Sequence, residues 1–333
     1  MTLLTRIKLK DMSPLHIGTG RDSYDMASPV LSSDVLSSAL ASVRVMTGNV
    51  DGIDEFLKTF TVSSAFPYDH DNYFLPRPNG RLNIRVKDLQ ESEYRKSLKK
   101  LRYISEPIWK KLAKGELVEI DQNQLHGEFL IAEPIKDYAV PMKRISNQRV
   151  LVAREDDKDA TPFMFEWTFF RHGETESGLY CLLDCEEAAK GEIISLFQTL
   201  GTLGLGSDRT VGGGHFDIEV DEVETPQVEG DAVMLLSTYI PKEDEIGELN
   251  LNASNYSLIK RGGFIAGSSK EEFKHLRKKT IYMFDVGSVF FTNKQLKGTI
   301  VDLSPEWKED KVHPVYRSGR PLYINIKMYK NEE

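Results

Sequence analysis

The chain has 333 residues, 40% hydrophobic and 28% charged, with a formal net charge of −8. That is the composition of an ordinary globular protein with room for about two domains, and the acidic balance argues against a general nucleic-acid coat. No apolar run approaches the roughly 18 residues of a membrane span, and Thr5-Arg6-Ile7-Lys8-Leu9-Lys10 alternates instead of forming a leader core, so the expectation is a cytoplasmic protein.

Leu3 to Lys10 reads as the first strand, with Ile7 and Leu9 on one face and Arg6, Lys8 and Lys10 on the other. The loop Pro14-Leu-His-Ile-Gly-Thr-Gly20 and a polar stretch to Pro29 follow. Ser32, Ser33 and Asp34 offer N-caps for a helix carrying Leu36, Ala39, Leu40 and Val43. A short helix spans Asp51 to Thr59, where Ile53, Phe56, Leu57 and Phe60 share a face. Ser63 to Tyr68 and Tyr73 to Pro78 are extended segments around a turn at Asp69-His70-Asp71. Pro76 and Pro78 bar the second from a central strand position.

Glu91 to Lys114 forms the helical part of a basic insertion covering about residues 80–130, interrupted near Pro107. Lys143-Arg-Ile-Ser-Asn-Gln-Arg149 falls in an irregular segment. Phe163, Phe165, Trp167 and Phe169 alternate in a strand, with a hairpin return through Leu179 to Leu183. Cys181 and Cys185 lie there without a second pair at zinc spacing, which points to two buried thiols. A helix from Glu187 to Leu203 and a strand from His215 to Val220 close a first domain, residues 1–222. After a linker at Glu222 to Gly230, a second domain, 223–333, holds strands at Val233–Ile240, Ile281–Phe291 and Leu322–Tyr329. Mixed helices, strands and hairpins imply an α+β fold, best matched by two ferredoxin-like (RRM-like) domains with antiparallel sheets.

Charge is segregated along the chain. Arg77 to Lys114 holds twelve lysines and arginines against four acids, and Ser254 to Thr280 seven against two. Glu155–Glu192 holds eleven acids and three bases, and Asp217–Glu248 eleven and one. Such a chain presents a basic face to RNA and an acidic one to a protein partner, unless the charges interleave on folding.

The glycine-rich turn Gly204-Leu-Gly-Ser-Asp-Arg-Thr-Val-Gly-Gly-Gly-His-Phe216 runs from a helix into a strand. Nucleotide-binding glycine loops run the opposite way, and no Lys-Ser or Lys-Thr follows as a P-loop demands. What remains is a side-chain-poor loop with Arg209 inside it and backbone N–H groups suited to a polyanion.

Together the turn Pro14-Leu-His-Ile-Gly, the helix start Ser32-Ser-Asp-Val-Leu-Ser-Ser-Ala, Ser63-Ser-Ala-Phe-Pro-Tyr, Tyr73-Phe-Leu-Pro-Arg-Pro and the glycine turn resemble the RAMP superfamily of CRISPR proteins. Lys260-Arg-Gly-Gly-Phe, Asp285-Val-Gly-Ser-Val-Phe and His313-Pro-Val-Tyr-Arg-Ser-Gly-Arg-Pro-Leu-Tyr extend the likeness. The closest match is to the fourth subunit of the type III-A Csm effector complex. That resemblance implies a non-catalytic cap that grips the five-prime handle of the CRISPR RNA, docks the large polymerase-like subunit and contacts a backbone RAMP subunit. No cofactor or metal is implied.

RNA recognition needs cations for phosphates, N–H donors where the strand bends and planar groups for unpaired bases. Lys143, Arg144, Arg149, Arg209 and Arg261 are the phosphate candidates. Gly18, Gly20, Gly204, Gly206, Gly212, Gly213 and Gly214 are the donor candidates, and His16, Phe66 and Tyr68 the stacking ones. The alternative function is an endoribonuclease, with His16 as general base or Asp34 as a metal-dependent catalyst, although Asp34 also reads as a helix cap. A protein-interaction module using the acidic tract is a third reading.

Overall fold

The computed structural model describes residues 3–19, 25–152, 160–173, 176–225, 228–265, 276–292, 294–305 and 314–327. Strand β1 (Leu3–Lys10) turns Ile7 and Leu9 fully inward, as the alternation requires. Helix α1 (Ser33–Met46) buries Leu36, Leu40 and Val43 on one stripe, and the short helix α2 (Ile53–Lys58) buries Phe56 and Leu57. Strands β2 (Phe60–Val62), β3 (Phe66–Asp69) and β4 (Asn72–Pro76) follow. β3 and β4 lie well inside the main sheet, which for β4 goes against the expectation that its prolines exclude a central place. The positions of the rings explain this. Pairing between β3 and β4 covers only Tyr68↔Tyr73 and Asp69↔Asn72, so Pro67 lies beyond it, and Pro76 ends its strand.

The basic insertion is not purely helical. Strand β5 (Ile84–Val86) and helix α3 (Glu91–Lys100) lead into strand β6 (Tyr103–Ser105), then helix α4 (Glu106–Ala113) and strands β7 (Val118–Ile120), β8 (Leu125–His126) and β9 (Phe129–Leu130). Pro107 stands in the first turn of α4, where its missing N–H leaves no helical bond unmade. β6 pairs antiparallel with β4 and parallel with β9, so the insertion extends the main sheet. Trp109, fully buried, donates its indole N–H to the Pro76 carbonyl at 3.0 Å.

Strands β10 (Met142–Leu151) and β11 (Thr161–Phe170) form a separate two-stranded ribbon. Then come β12 (Ser177–Cys185), helix α5 (Glu187–Leu203) and β13 (Asp217–Glu224). The main sheet runs β13-β1-β12-β3-β4-β6-β9-β8. Its first half thus follows the chain order β1–α1–β3–β12–α5–β13, with α1 and α5 against each other. Part of the acidic tract is neutralised inside this sheet. Asp221 pairs with Arg6, and Glu219 takes Lys8 at 3.3 Å and Lys10 at 3.0 Å across the β1–β13 ladder. Cys181 is buried, whereas Cys185 is half-buried, and both are free thiols.

Beyond β13, strands β14 (Ala232–Leu235), β17 (Val289–Phe290) and β20 (Tyr323–Ile326) make an antiparallel sheet in the order β17-β14-β20. Two further antiparallel pairs are β15 (Leu258–Arg261) with β16 (Ile281–Phe284), and β18 (Ile300–Asp302) with β19 (Tyr316–Ser318). The expected boundary at residue 222 falls within β13. The two halves also share one core: Met234, Leu236, Ile324 and Ile326 pack in the same cluster as Phe66, Trp109 and Tyr180. Among the described residues, no helix is long and apolar enough to cross a membrane.

Candidate nucleic-acid interface

The ribbon carries three of the expected phosphate contacts. Register pairs run unbroken from Met142↔Phe170 to Leu151↔Thr161. Lys143–Arg149 is therefore regular strand, not irregular chain. β10 is exposed along nearly its whole length, so neither face selects apolar residues and the period-2 signal is absent. Lys143 and Arg149 project from one face, and Arg144 from the other. On the far edge of β11, Leu15 exchanges both backbone bonds with Thr168, at 2.9 and 2.8 Å, bringing the first loop alongside.

His16 lies in that loop and is only 1% exposed. Its Nδ1 donates to the Glu166 carbonyl at 2.7 Å, and its ring packs on Phe165 with centroids 4.4 Å apart. Held beneath the ribbon, it is not presented for stacking on a base. Phe66 and Tyr68 are fully buried in the sheet core, which removes them as stacking platforms too.

The glycine turn closes against the same loop. Gly206 and Gly214 both have positive φ, 78° and 71°. A methyl group at Gly206 would stand 2.2 Å from the His16 carbonyl oxygen, and one at Gly214 1.9 Å from that of Leu205. At Gly213 a methyl would meet Trp167 at 2.8 Å. The close backbone approach that the glycines permit is thus within the protein. Most of the expected donors are also engaged internally: Gly204 N–H bonds Leu200, Gly212 bonds Arg209, Gly213 bonds Asp208 and Gly214 bonds Pro14. Gly212 is exposed, and Gly18 has open space where a side chain would stand. Gly20 lies outside the described residues.

Arg149 joins ribbon and turn. Its guanidinium pairs with Asp208 and lies 4.2 Å from the Phe165 ring centroid and 5.3 Å from that of Trp167. Arg144 is 3.1 Å from Glu128, which Arg102 also approaches at 3.2 Å. Lys143 and Arg209 are exposed. The structure gathers Arg149, His16 and the glycine turn with its Arg209 into one cluster, whereas Lys143 lies further along the ribbon and Arg144 points from its other face to Glu128. Sequence reading missed Asp208, Phe165 and Trp167. The alternation of β11 marked its aromatics as strand residues but gave no sign of what they face.

Arg261 is elsewhere. It is buried, with Asp34 and Ser32 as partners, and Arg317 reaches the same carboxylate from the far end of the chain. A surface phosphate contact is not available to it in this arrangement. Nor does Asp34 cap α1: Ser32 holds the N-cap position, and Asp34 is the second residue of the first turn, fully buried. Burial pushes its carboxyl pKa up, but Arg317, Arg261 and the Ser32 hydroxyl outweigh that and hold it below the ordinary range. Asp69 is likewise committed, to Arg171 and Tyr138. Among the described residues, no group of three or more His, Cys, Asp or Glu side chains is placed to hold a metal ion.

Comparison with known proteins gives this arrangement its context. Residues 8–217 match the RAMP superfamily, and residues 228–326 match the CRISPR Csm4 C-terminal domain. The chain is 30% identical over 326 residues to the CRISPR system Cms protein Csm4 of Mycobacterium tuberculosis strain H37Rv, covering 95% of this chain and 96% of that one. The Csm4 protein of Streptococcus thermophilus is 25% identical over 331 residues, with 94% and 96% covered. The chain belongs to the RAMP superfamily and, within it, to the Csm4 family. Among solved structures, a Csm1-Csm4 cassette in complex with cA4 aligns with a TM-score of 0.62 at 18% identity, covering 99% of this chain and 100% of that one. A Csm3-Csm4 subcomplex of the type III-A CRISPR-Cas interference complex also gives 0.62 at 18%, covering 98% and 100%. At such identities the likeness concerns the fold.

Proposed function

We propose that this chain is a non-catalytic RNA-binding subunit of a type III-A CRISPR effector complex, gripping the five-prime handle of the CRISPR RNA. It docks the large polymerase-like subunit on one side and a backbone RAMP subunit on the other. Full-length similarity to Csm4 proteins carries this reading, and the solved Csm1-Csm4 and Csm3-Csm4 pairs supply the partner classes. The order β1–α1–β3–β12–α5–β13 supports a ferredoxin-like first unit. A division into residues 1–222 and 223–333 is supported by family matches that end at 217 and begin at 228.

The handle site on this reading is the ribbon and the glycine turn, with Lys143, Arg144, Arg149 and Arg209 facing phosphates. The nuclease alternative has less support, because His16 and Asp34 are both buried and bonded within the fold. Ultraviolet crosslinking of site-labelled CRISPR RNA to the assembled complex, with peptide mapping, tests the proposal. Handle nucleotides should crosslink within 143–149 or 204–214. Crosslinks from the guide alone would move the chain to a backbone role, and none at all would leave a protein-interaction module.

A further inference from the structure

In and beside the basic insertion stand cations that no carboxylate among the described residues neutralises. Two cavities, of about 290 and 470 Å³, meet there and share Arg77 and Lys99 in their walls. Arg81 pairs with Glu91, Arg85 with Glu119 and Arg102 with Glu128. Among the described residues, Arg77, Arg95, Lys99 and Lys100 have no carboxylate at ion-pair distance. Arg77 is the telling one. Its two Nη atoms donate to the carbonyls of Pro78 and Gly80, at 3.0 and 2.9 Å, and its Nε is buried without a partner. Burial alone lowers its pKa, with no anion to offset the desolvation. A half-buried guanidinium left uncompensated at a cavity wall is the signature of a site completed by an external anion.

The second wall identifies the anion's class. Asn79, Ser257 and Asp285 line the smaller cavity, and Asn79 already reaches Ser257 at 3.1 Å. These groups come from both halves of the chain and offer hydrogen bonds to a base edge or ribose. A protein partner would instead call for an apolar centre, whereas the cavity's aromatic lining, Phe66 and Tyr103, is buried in the core. We propose that Arg77, Lys99 and Lys100 bind consecutive phosphates of a single-stranded segment of the complex's RNA, with one nucleotide seated in the cavity beside Asn79 and Ser257. This site rests on the RNA-binding reading above, and is separate from the ribbon and glycine turn.

The test is CRISPR RNA binding by the full chain, followed by fluorescence anisotropy across a salt series. Lys99→Ala with Lys100→Ala should weaken binding about fivefold to tenfold and flatten the slope of log affinity against log salt by about 1.4, about 0.7 per lost phosphate contact on a single strand. Arg77→Gln, which keeps polar reach but removes charge, should give a loss of the same direction. Lys110→Ala, whose side chain pairs with Glu106 at 2.7 Å, should leave affinity unchanged. If Lys143→Ala with Arg149→Ala weakens binding while the Lys99 and Lys100 pair does not, this inference fails and the handle reading stands. If neither pair matters, the RNA-binding reading itself fails. An equal loss from Lys110→Ala overturns the site in favour of general charge, and unchanged RNA binding with loss of a co-purifying subunit overturns it in favour of protein docking.

Discussion

Arg149, on the exposed strand of the ribbon, forms an ion pair with Asp208 at the tip of the glycine turn while its guanidinium lies 4.2 Å from the Phe165 ring centroid. One side chain thereby ties together two segments separated by more than fifty residues. It also means that this candidate phosphate contact is held by a carboxylate in this structure. Asp208 itself has φ of 57°, a backbone region that Asp tolerates better than most residues.

Asp208→Asn therefore separates the two roles of Arg149. Removing the carboxylate releases the guanidinium and deletes one negative charge from the surface, so affinity for CRISPR RNA should rise, by about threefold if one additional phosphate contact is gained. Arg149→Ala should lower it and cost about 1–2 kcal/mol of stability, from a partly exposed ion pair and the lost cation–π contact. Anisotropy titration and urea unfolding read the two effects. A fall in affinity for Asp208→Asn would mean that the ion pair, not the free cation, builds the site.

The glycines of the first loop and of the turn should differ in a fixed order. Gly18→Ala meets open space without an unusual φ, and should be neutral within about 0.5 kcal/mol. Gly212→Ala also meets open space but must adopt φ near 94°, at about 1–2 kcal/mol. Gly206→Ala and Gly214→Ala add a clash with backbone, at 2.2 and 1.9 Å, and should cost about 3–5 kcal/mol once the overpacking is included. Urea midpoints for the four variants check the ranking. Equal losses at Gly212 and Gly214 would show that strain alone decides.

What the sequence disclosed depended on whether a pattern had one buried face. β1 and α5 were legible, because Ile7 and Leu9, or Ile193, Leu196 and Leu200, must all point the same way. β10 was not, since both its faces meet solvent and nothing forces alternation. Arg261 shows a different limit. Its neighbours Lys260 and Gly262 give it the look of a loop cation, and only the arrival of Asp34 and Ser32, more than two hundred residues earlier, buries it. The glycine turn was recognised by composition, but whose backbone it accommodates is a tertiary fact.

The Asp34 cluster should govern acid stability. Its folded pKa is depressed, so its contribution is complete above the unfolded value of about 3.9 and is lost as pH falls through the folded value. Asp34→Asn should lose that contribution and leave Arg261 and Arg317 buried without a counter-ion, costing about 3–5 kcal/mol at neutral pH. The variant's stability should then respond less to acid than the parent's between about pH 5 and the folded pKa. Unfolding curves across that range measure both. A variant with the parent's acid slope would exclude Asp34 as the titrating group.

Lys278 gives the complementary signal on the alkaline side. Burial and then Arg317 lower its pKa, Asp34 partly restores it, and it settles at about 8. A lysine so depressed is neutral in the folded chain over a range where the unfolded chain still holds its proton. Stability should therefore rise as pH increases from about 8 towards the unfolded value of about 10.4, the reverse of the trend for a lysine with a salt-bridge partner. Reductive ¹³C-methylation makes each lysine visible by NMR, and the resonance abolished by Lys278→Met should titrate near 8. Asp34→Asn should move that midpoint lower, because the one nearby charge that favours the ammonium is gone. A midpoint above 10 in the parent chain would show that burial does not desolvate the Lys278 ammonium.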